Sequence, residues 1–281
     1  VVRERREPGS WLPLFELLIK LRDAYRSEVA TLLRENRALR SSLAEARREA
    51  RRLSRMRTFF SPQVADMILS RRDSELLAAE RREVTVVFID LRGFTMFTQT
   101  SDPEEVGRVL HEFHAEVGRR AHAVQGTIER FTGDGLMVFF NAPHAVVNGP
   151  EAAVRLALHV RARFHELAKA WWARGYDLNL GIGISHGFAT AGVIGFEGRR
   201  DYAVIGTVTN LAARLCSEAQ ASQILTGRSL IGALGSRLEN DFVGDLVLKG
   251  FVKPVAAFSI RGLRGAVTSG TAGSDDRCGR D

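Results

Sequence analysis

Apolar residues along this chain follow two different periods. Between Val29 and Leu53 they fall every seven residues, with Val29, Asn36, Leu43 and Ala50 on one line and Leu32, Leu39, Ala46 and Leu53 on the other. That is the seam of a parallel coiled coil, in which a polar Asn at the first core position sets register and favours two strands, and Glu35 can reach Arg40 of a partner. A single amphipathic helix packed on its own domain is the competing reading. After the seam, Ser61 and Pro62 stand where a helix cap and first turn belong. From Val84 onward, strands alternate with helices. The pattern predicts a strand at 84–89, a helix from about 94 through 124, a hairpin at 127–140 and a helix at 149–170. It continues with a strand at 178–185, a glycine-punctuated hairpin (GFATAGVIGFEGRRDYAVIG), a helix at 206–219, a short strand at 223–226 and a last strand pair within 242–260. The expected class is α/β (α+β), a mixed sheet flanked by helices and preceded by a helical leader.

The domain boundaries follow: an N-terminal segment 1–21, a basic coiled-coil linker 22–57, a connecting helix 58–81, a globular domain 82–261 and a Gly/Ser/Thr-rich tail 262–281, expected to be disordered. Charge sharpens this division. Residues 1–57 hold 15 Lys+Arg against 8 Asp+Glu, which leaves 25 of each from totals of 40 and 33 for the rest of the chain. The basic excess therefore belongs to one solvated helix and not to a folded face, and no nucleic-acid partner is expected. Cys216 and Cys278 make neither a disulfide framework nor a metal site, which suits a cytoplasmic setting. WLPLFELLIKL at 11–21 is too short to span a membrane and carries Glu16 and Lys20. The chain starts with Val, so an upstream sensor or membrane region is an open expectation, and the domain would then lie on the cytoplasmic side.

The candidate chemistry lies at two strand ends. VTVVFID ends in Asp90 just before a helix begins, and IERFTGDGLMVFF carries Asp134 between Gly133 and Gly135. Each Asp alone has a plain structural use, as a helix N-cap or a turn residue. The glycines on either side of Asp134 permit the positive φ angles of a tight turn. If the first strand lies beside the hairpin, the two carboxylates face one another and repel unless cations neutralise them. Two Mg²⁺ ions about 3.5–4 Å apart are the usual device for in-line displacement at phosphorus.

FIDLRGFT, RFTGDGLMVFF and VIGTVTNLAARL, taken together, resemble the marked segments of the class III adenylate/guanylate cyclase catalytic domain, over roughly residues 82–260. The resemblance implies a ferredoxin-like fold, a homodimer with shared active sites, and conversion of ATP to 3′,5′-cyclic AMP and pyrophosphate with two Mg²⁺ or Mn²⁺ ions per site. It implies that Asp90, Asp134 and the Leu91 carbonyl bind metal, and that the backbone amides of Leu91, Arg92, Gly93, Phe94 and Thr95, with Lys249, hold the phosphates. Asn210 would orient the ribose, and Arg214 would stabilise charge on the pentavalent phosphorus from the opposite subunit. Their i, i+4 spacing puts both on one helical face.

The base pocket departs from the family pattern. Adenylate cyclases usually have Lys and guanylate cyclases Glu where this chain has Arg130. Where Asp or Thr, or Cys in guanylate cyclases, would lie, it has Ala203. Arg130 keeps a cation with a larger, planar head, whereas Ala203 neither donates nor accepts, so weaker purine discrimination is expected, with ATP favoured over GTP. The alternatives are a guanylate or dual-specificity cyclase, or a catalytically silent module that dimerises or senses nucleotide. A diguanylate cyclase would read GG(D/E)EF where this chain reads TGDGL. His111, His114, His122 and His186 lack the spacing of a zinc site. Trp171 and Trp172 are expected to close a helix end by packing.

Overall fold

A computed structural model describes residues 12–70 and 78–264. The outermost N-terminal segment and the expected disordered tail beyond 264, with Cys278, lie outside the described residues. The first unit is one helix, α1 (Leu12–Arg57), which starts well before the boundary placed at residue 22 and buries none of its own side chains. At 1.5 Å per residue it is about 70 Å long. Leu32, Leu39, Leu43 and Leu53, all on the heptad lines, are 48–70% exposed on a single chain.

The second unit begins with α2 (Pro62–Ser70), whose first-turn bond runs from the Ala65 amide to the Ser61 carbonyl. The Ser61 hydroxyl is buried without a partner, so Pro62 sets the helix start while the expected side-chain cap does not form. Then follow β1 (Glu80–Arg92), α3 (Phe94–Thr100), α4 (Pro103–Ala123), β2 (Thr127–Phe131), β3 (Gly135–Phe140) and α5 (Gly149–Trp172). The chain continues through β4 (Asn179–Phe196), β5 (Arg199–Ile205), α6 (Thr207–Glu218), β6 (Gln223–Gly227), α7 (Arg228–Leu234), β7 (Leu238–Leu246) and β8 (Val255–Leu263). The helix expected over 94–124 is two helices. Asp102 precedes Pro103 and is held extended at φ −66°, ψ 146°, because the proline ring crowds the helical conformation of the residue before it.

Among the described residues the strands form one eight-stranded mixed sheet in the order β2-β3-β1-β4-β6-β8-β7, with β5 paired to β4. The order β4-β1-β3-β2, all antiparallel, is the ferredoxin-like arrangement. Alternation along β1 sorts the core onto two faces. Val87, Ile89 and Leu91 pack with Phe113, Val117, Leu156 and Val160 of α4 and α5. Val84 and Val86 face the other way, with Met137, Phe139 and, from α6, Val208 and Ala212. Trp171 is fully buried and its Nε1 donates to Glu112 at 2.6 Å, tying α5 to α4, whereas Trp172 points outward at 68% exposure. Only the first of the two tryptophans therefore closes the helix end, because one face of α5 alone meets the core.

β4 also differs from expectation. It does not stop near residue 185 but runs on to Phe196, and its far half pairs with β5. The β4–β5 hairpin folds across the α6 face: Tyr202 lies 6.1 Å from the Phe139 ring and Val204 packs in the same cluster. That crossing lays the end of β5 over the face of β3 that carries Met137 and Phe139.

Candidate active site

Asp90 lies two residues before the end of β1, opposite Gly135 on β3 and Gly181 on β4. Both neighbours are glycines for reasons of space. A Cβ at Gly135 would stand 2.6 Å from Asp90 Oδ1, and one at Gly181 would stand 2.6 Å from an Arg92 guanidinium nitrogen. Gly133 does take a left-handed φ of 78°, as the turn requires, but Gly135 is not among the positive-φ residues. The expectation that both glycines serve the turn is therefore corrected: Gly133 makes the turn and Gly135 makes room for the carboxylate.

The turn brings Asp134 beside Asp90. The Leu91 amide donates to the Asp134 carbonyl at 3.2 Å and the Thr132 amide to the Gly135 carbonyl at 2.8 Å, which ties the end of β1 to the hairpin tip. Burial lifts the Asp90 carboxyl above its ordinary value, the Asp134 charge lifts it further, and the Arg92 guanidinium pulls it back. Arg92 Nη1 is 3.5 Å from Asp90 Oδ2, and its other amino group donates to the carbonyl of Cys216 on α6. The Cys216 thiol itself is buried against the Gly181 carbonyl at 3.3 Å and is pushed up to about 12 by that burial and by the Asp90 charge, so it is an inert thiol.

Two carboxylates held together at a cost in charge repulsion suit a divalent cation. Among the described residues no cluster of three or more His, Cys, Asp or Glu could hold a metal alone. A pair of carboxylates is the kind of donor set that binds Mg²⁺ or Mn²⁺ together with substrate phosphates and water. Asp90 and Asp134 fit that group; Leu91, the next residue of β1, is 3% exposed with its side chain in the core. Gly93 has φ 82° at the start of α3, Phe94 opens that helix with its ring 5.9 Å from Phe97, and Thr95 is exposed. Lys249 is exposed in the turn between β7 and β8.

Asn210 and Arg214 are both exposed on α6, while Val208, Ala212, Leu215 and Cys216 face inward. No hydrogen bond or ion pair joins either of them to Asp90 or Asp134 among the described residues. The structure thus brings the two aspartates together and leaves the Asn–Arg pair on a separate, outward surface. Arg130 is 60% exposed and Ala203 is 2% exposed.

Two side chains near the site carry no marked motif. His114 on α4 packs its ring 4.5 Å from that of Phe131, with its Nε2 buried and without a hydrogen-bond partner; burial holds the imidazole below its ordinary value, and the nearby Gly133 backbone works against that. It is thus a support for the turn that bears Asp134, a tertiary contact that sequence spacing does not reveal. His114→Ala should retain the fold yet lower kcat/KM about tenfold through misplacement of Asp134, with a raised requirement for Mn²⁺. An unchanged metal titration would remove His114 from this role. The other is Glu129, whose signal was in the sequence: Glu129 and Arg130 are consecutive polar residues in a strand of period two, the mark of a bulge. The register does shift between Ile128 and Arg130.

A ferredoxin-like sheet with paired carboxylates where one strand end meets a hairpin tip is the layout of a nucleotidyl cyclase catalytic domain. Residues 76–262 match the family model of the adenylate and guanylate cyclase catalytic domain, and the chain belongs to that family. Adenylate cyclase 1 of Rhizobium meliloti is 30% identical over 200 residues, covering 70% of this chain and 30% of that protein. The adenylate cyclase of Anabaena cylindrica is 31% identical over 147 residues, 50% of this chain and 28% of its own length. The chain thus spans about a third of the length of the curated relatives it matches. Among solved structures, the adenylyl cyclase CyaB from P. aeruginosa superposes with a TM-score of 0.64 at 32% identity, covering 67% of this chain and 98% of that one. The guanylyl cyclase Cya2 does so at 0.63 and 31%, covering 68% and 98%. In the described residues no helix is long and apolar enough to cross a membrane.

Proposed function

We propose that this chain acts as a homodimeric adenylate cyclase, forming 3′,5′-cyclic AMP and pyrophosphate from ATP. The observation that carries the reading is the Asp90–Asp134 pair, with Asp90 raised by burial and by its neighbour's charge. Divalent ions bound there would supply the Lewis acidity that activates the ribose 3′-hydroxyl and steadies the leaving pyrophosphate. The bond formed is 3′-oxygen to α-phosphorus, and the bond broken is α-phosphorus to the bridging oxygen of pyrophosphate. Asn210 orients the ribose, and Arg214 meets the charge that develops on the phosphorus with a fixed fork of donors. Lys249 and the amides from Leu91 to Thr95 hold the phosphates, and Arg130 faces the base.

Asn210 and Arg214 are exposed and unconnected to their own chain's aspartates, which supports a second copy bringing its α6 to the first copy's carboxylates. The exposed heptad leucines of α1 are the apolar seam through which two chains would pair. The near-equal likeness to CyaB and Cya2 keeps a guanylate or dual-specificity cyclase as the second reading. Incubation with ATP or GTP and Mg²⁺ or Mn²⁺, with the products identified, tests both. Cyclic AMP is expected; ATP binding without release of pyrophosphate would mean a silent module.

A further inference from the structure

We propose that Glu129 is the specificity-determining acceptor for the 6-amino group of the purine, standing in for the polar side chain that Ala203 lacks; this rests on the ATP reading of the site. Adenine presents a donor at its 6-amino and an acceptor at N1. Arg130 only donates and Ala203 does neither, so those two cannot satisfy the amino group. A bound base with an unpaired amino group would be poorly held and poorly distinguished.

The fold supplies the missing acceptor. The bulge in β2 sets Glu129 and Arg130 together against Met137, which lies on the α6 face of the sheet. The Glu129 side chain is only 8% exposed, and its Oε2 lies 3.5 Å from Arg130 Nε. The β4–β5 hairpin crosses that face: Val204, next to Ala203, packs in the same buried cluster as Met137, and its backbone amide lies close enough to the Glu129 carboxylate to help hold it ionised. The carboxylate therefore stands beside the segment that contains Ala203, part of the strand that runs directly into the helix bearing Asn210. An ionised carboxylate has about four lone-pair sites, so contacts to Val204 and Arg130 leave room for a further donor. Arg130, 60% exposed beside it, is placed to donate to N1. On balance burial raises the Glu129 carboxyl, against the pull of Arg130 and the Val204 amide, so the guanidinium is part of what keeps it an acceptor.

The test is a cycle on both sides of the contact. Wild type, Glu129→Met and Glu129→Gln are compared with ATP and with purine riboside triphosphate, which lacks the 6-amino group. The readouts are kcat/KM and displacement of a fluorescent ATP analogue, with circular dichroism melts to verify folding. In wild type, loss of the 6-amino group should cost about 10- to 100-fold, as for a hydrogen bond to a charged group. In Glu129→Met it should cost close to nothing. Glu129→Gln, whose amide can also donate, should gain on GTP relative to ATP and serves alone should the methionine variant not fold. The same 6-amino penalty in wild type and variant overturns the assignment, as does a wild type that prefers GTP. A wild type that binds ATP with the expected cycle yet forms no cyclic product would defeat the cyclase reading and leave Glu129 as the base-reading residue.

Discussion

Asp90→Asn should lower cyclic nucleotide formation roughly 10³-fold or more, since it removes one of two charges that hold the cations. The same substitution should make the metal-free protein more stable at neutral pH. The folded Asp90 carboxyl is raised by burial and by Asp134. A raised carboxyl contributes stability that is complete below its unfolded value, near 3.9, and is lost as pH rises through the folded value. Asparagine has no charge to bury. The variant should therefore melt above wild type at pH 7 to 8 without metal, by an amount set by how far burial and the Asp134 charge raise the wild-type carboxyl. That gap should close as the pH falls towards the unfolded value and the wild-type carboxyl takes up its proton. The ion pair lost with Arg92, 3.5 Å long and about a third exposed, is too weak to reverse the sign. Adding Mn²⁺ should raise the wild-type melting temperature and leave the variant unmoved. Retained turnover in the variant would reject the metal assignment, and a lower melting point would make Asp90 a structural partner of Arg92.

Equimolar Asp90→Ala and Arg214→Ala chains, each inactive alone, should regain about a quarter of wild-type activity once mixed and allowed to exchange. Random pairing makes half of the dimers heterodimers, and each heterodimer assembles one intact site and one doubly defective site. The arithmetic holds only if Asp90 and Arg214 act from different chains. It is motivated by the outward face of α6, where Asn210 and Arg214 make no contact with Asp90 or Asp134 of the same chain. Heterodimers detected by mass but without activity would refute shared sites. Shortening α1 by whole heptads offers no substitute test, because it changes association and catalysis together.

Much of this was legible in residue order. The alternation in VTVVFID placed β1, the glycines of RFTGDGL placed the turn, and three marked segments in order gave the family, since each depends on local periodicity or on residue types at fixed spacing. Helix ends were less legible. Pro103 divides α3 from α4, a local effect that the sequence contains but that apolar periodicity overrides. The continuation of β4 through its glycines was hidden because pairing with β1 and β5, not propensity, keeps that segment extended.

The sequence by itself determined most element types and the class, and singled out the two aspartates as candidates, because period and spacing act over a few residues. The tertiary structure decided which residues meet. It showed that Gly135 clears space for Asp90 and that Arg92 bridges Asp90 to the Cys216 carbonyl. It set His114 behind the turn and carried Glu129 to the strand containing Ala203. These contacts join positions tens of residues apart through strand register, a bulge and a hairpin that folds over the sheet, and no local pattern encodes them.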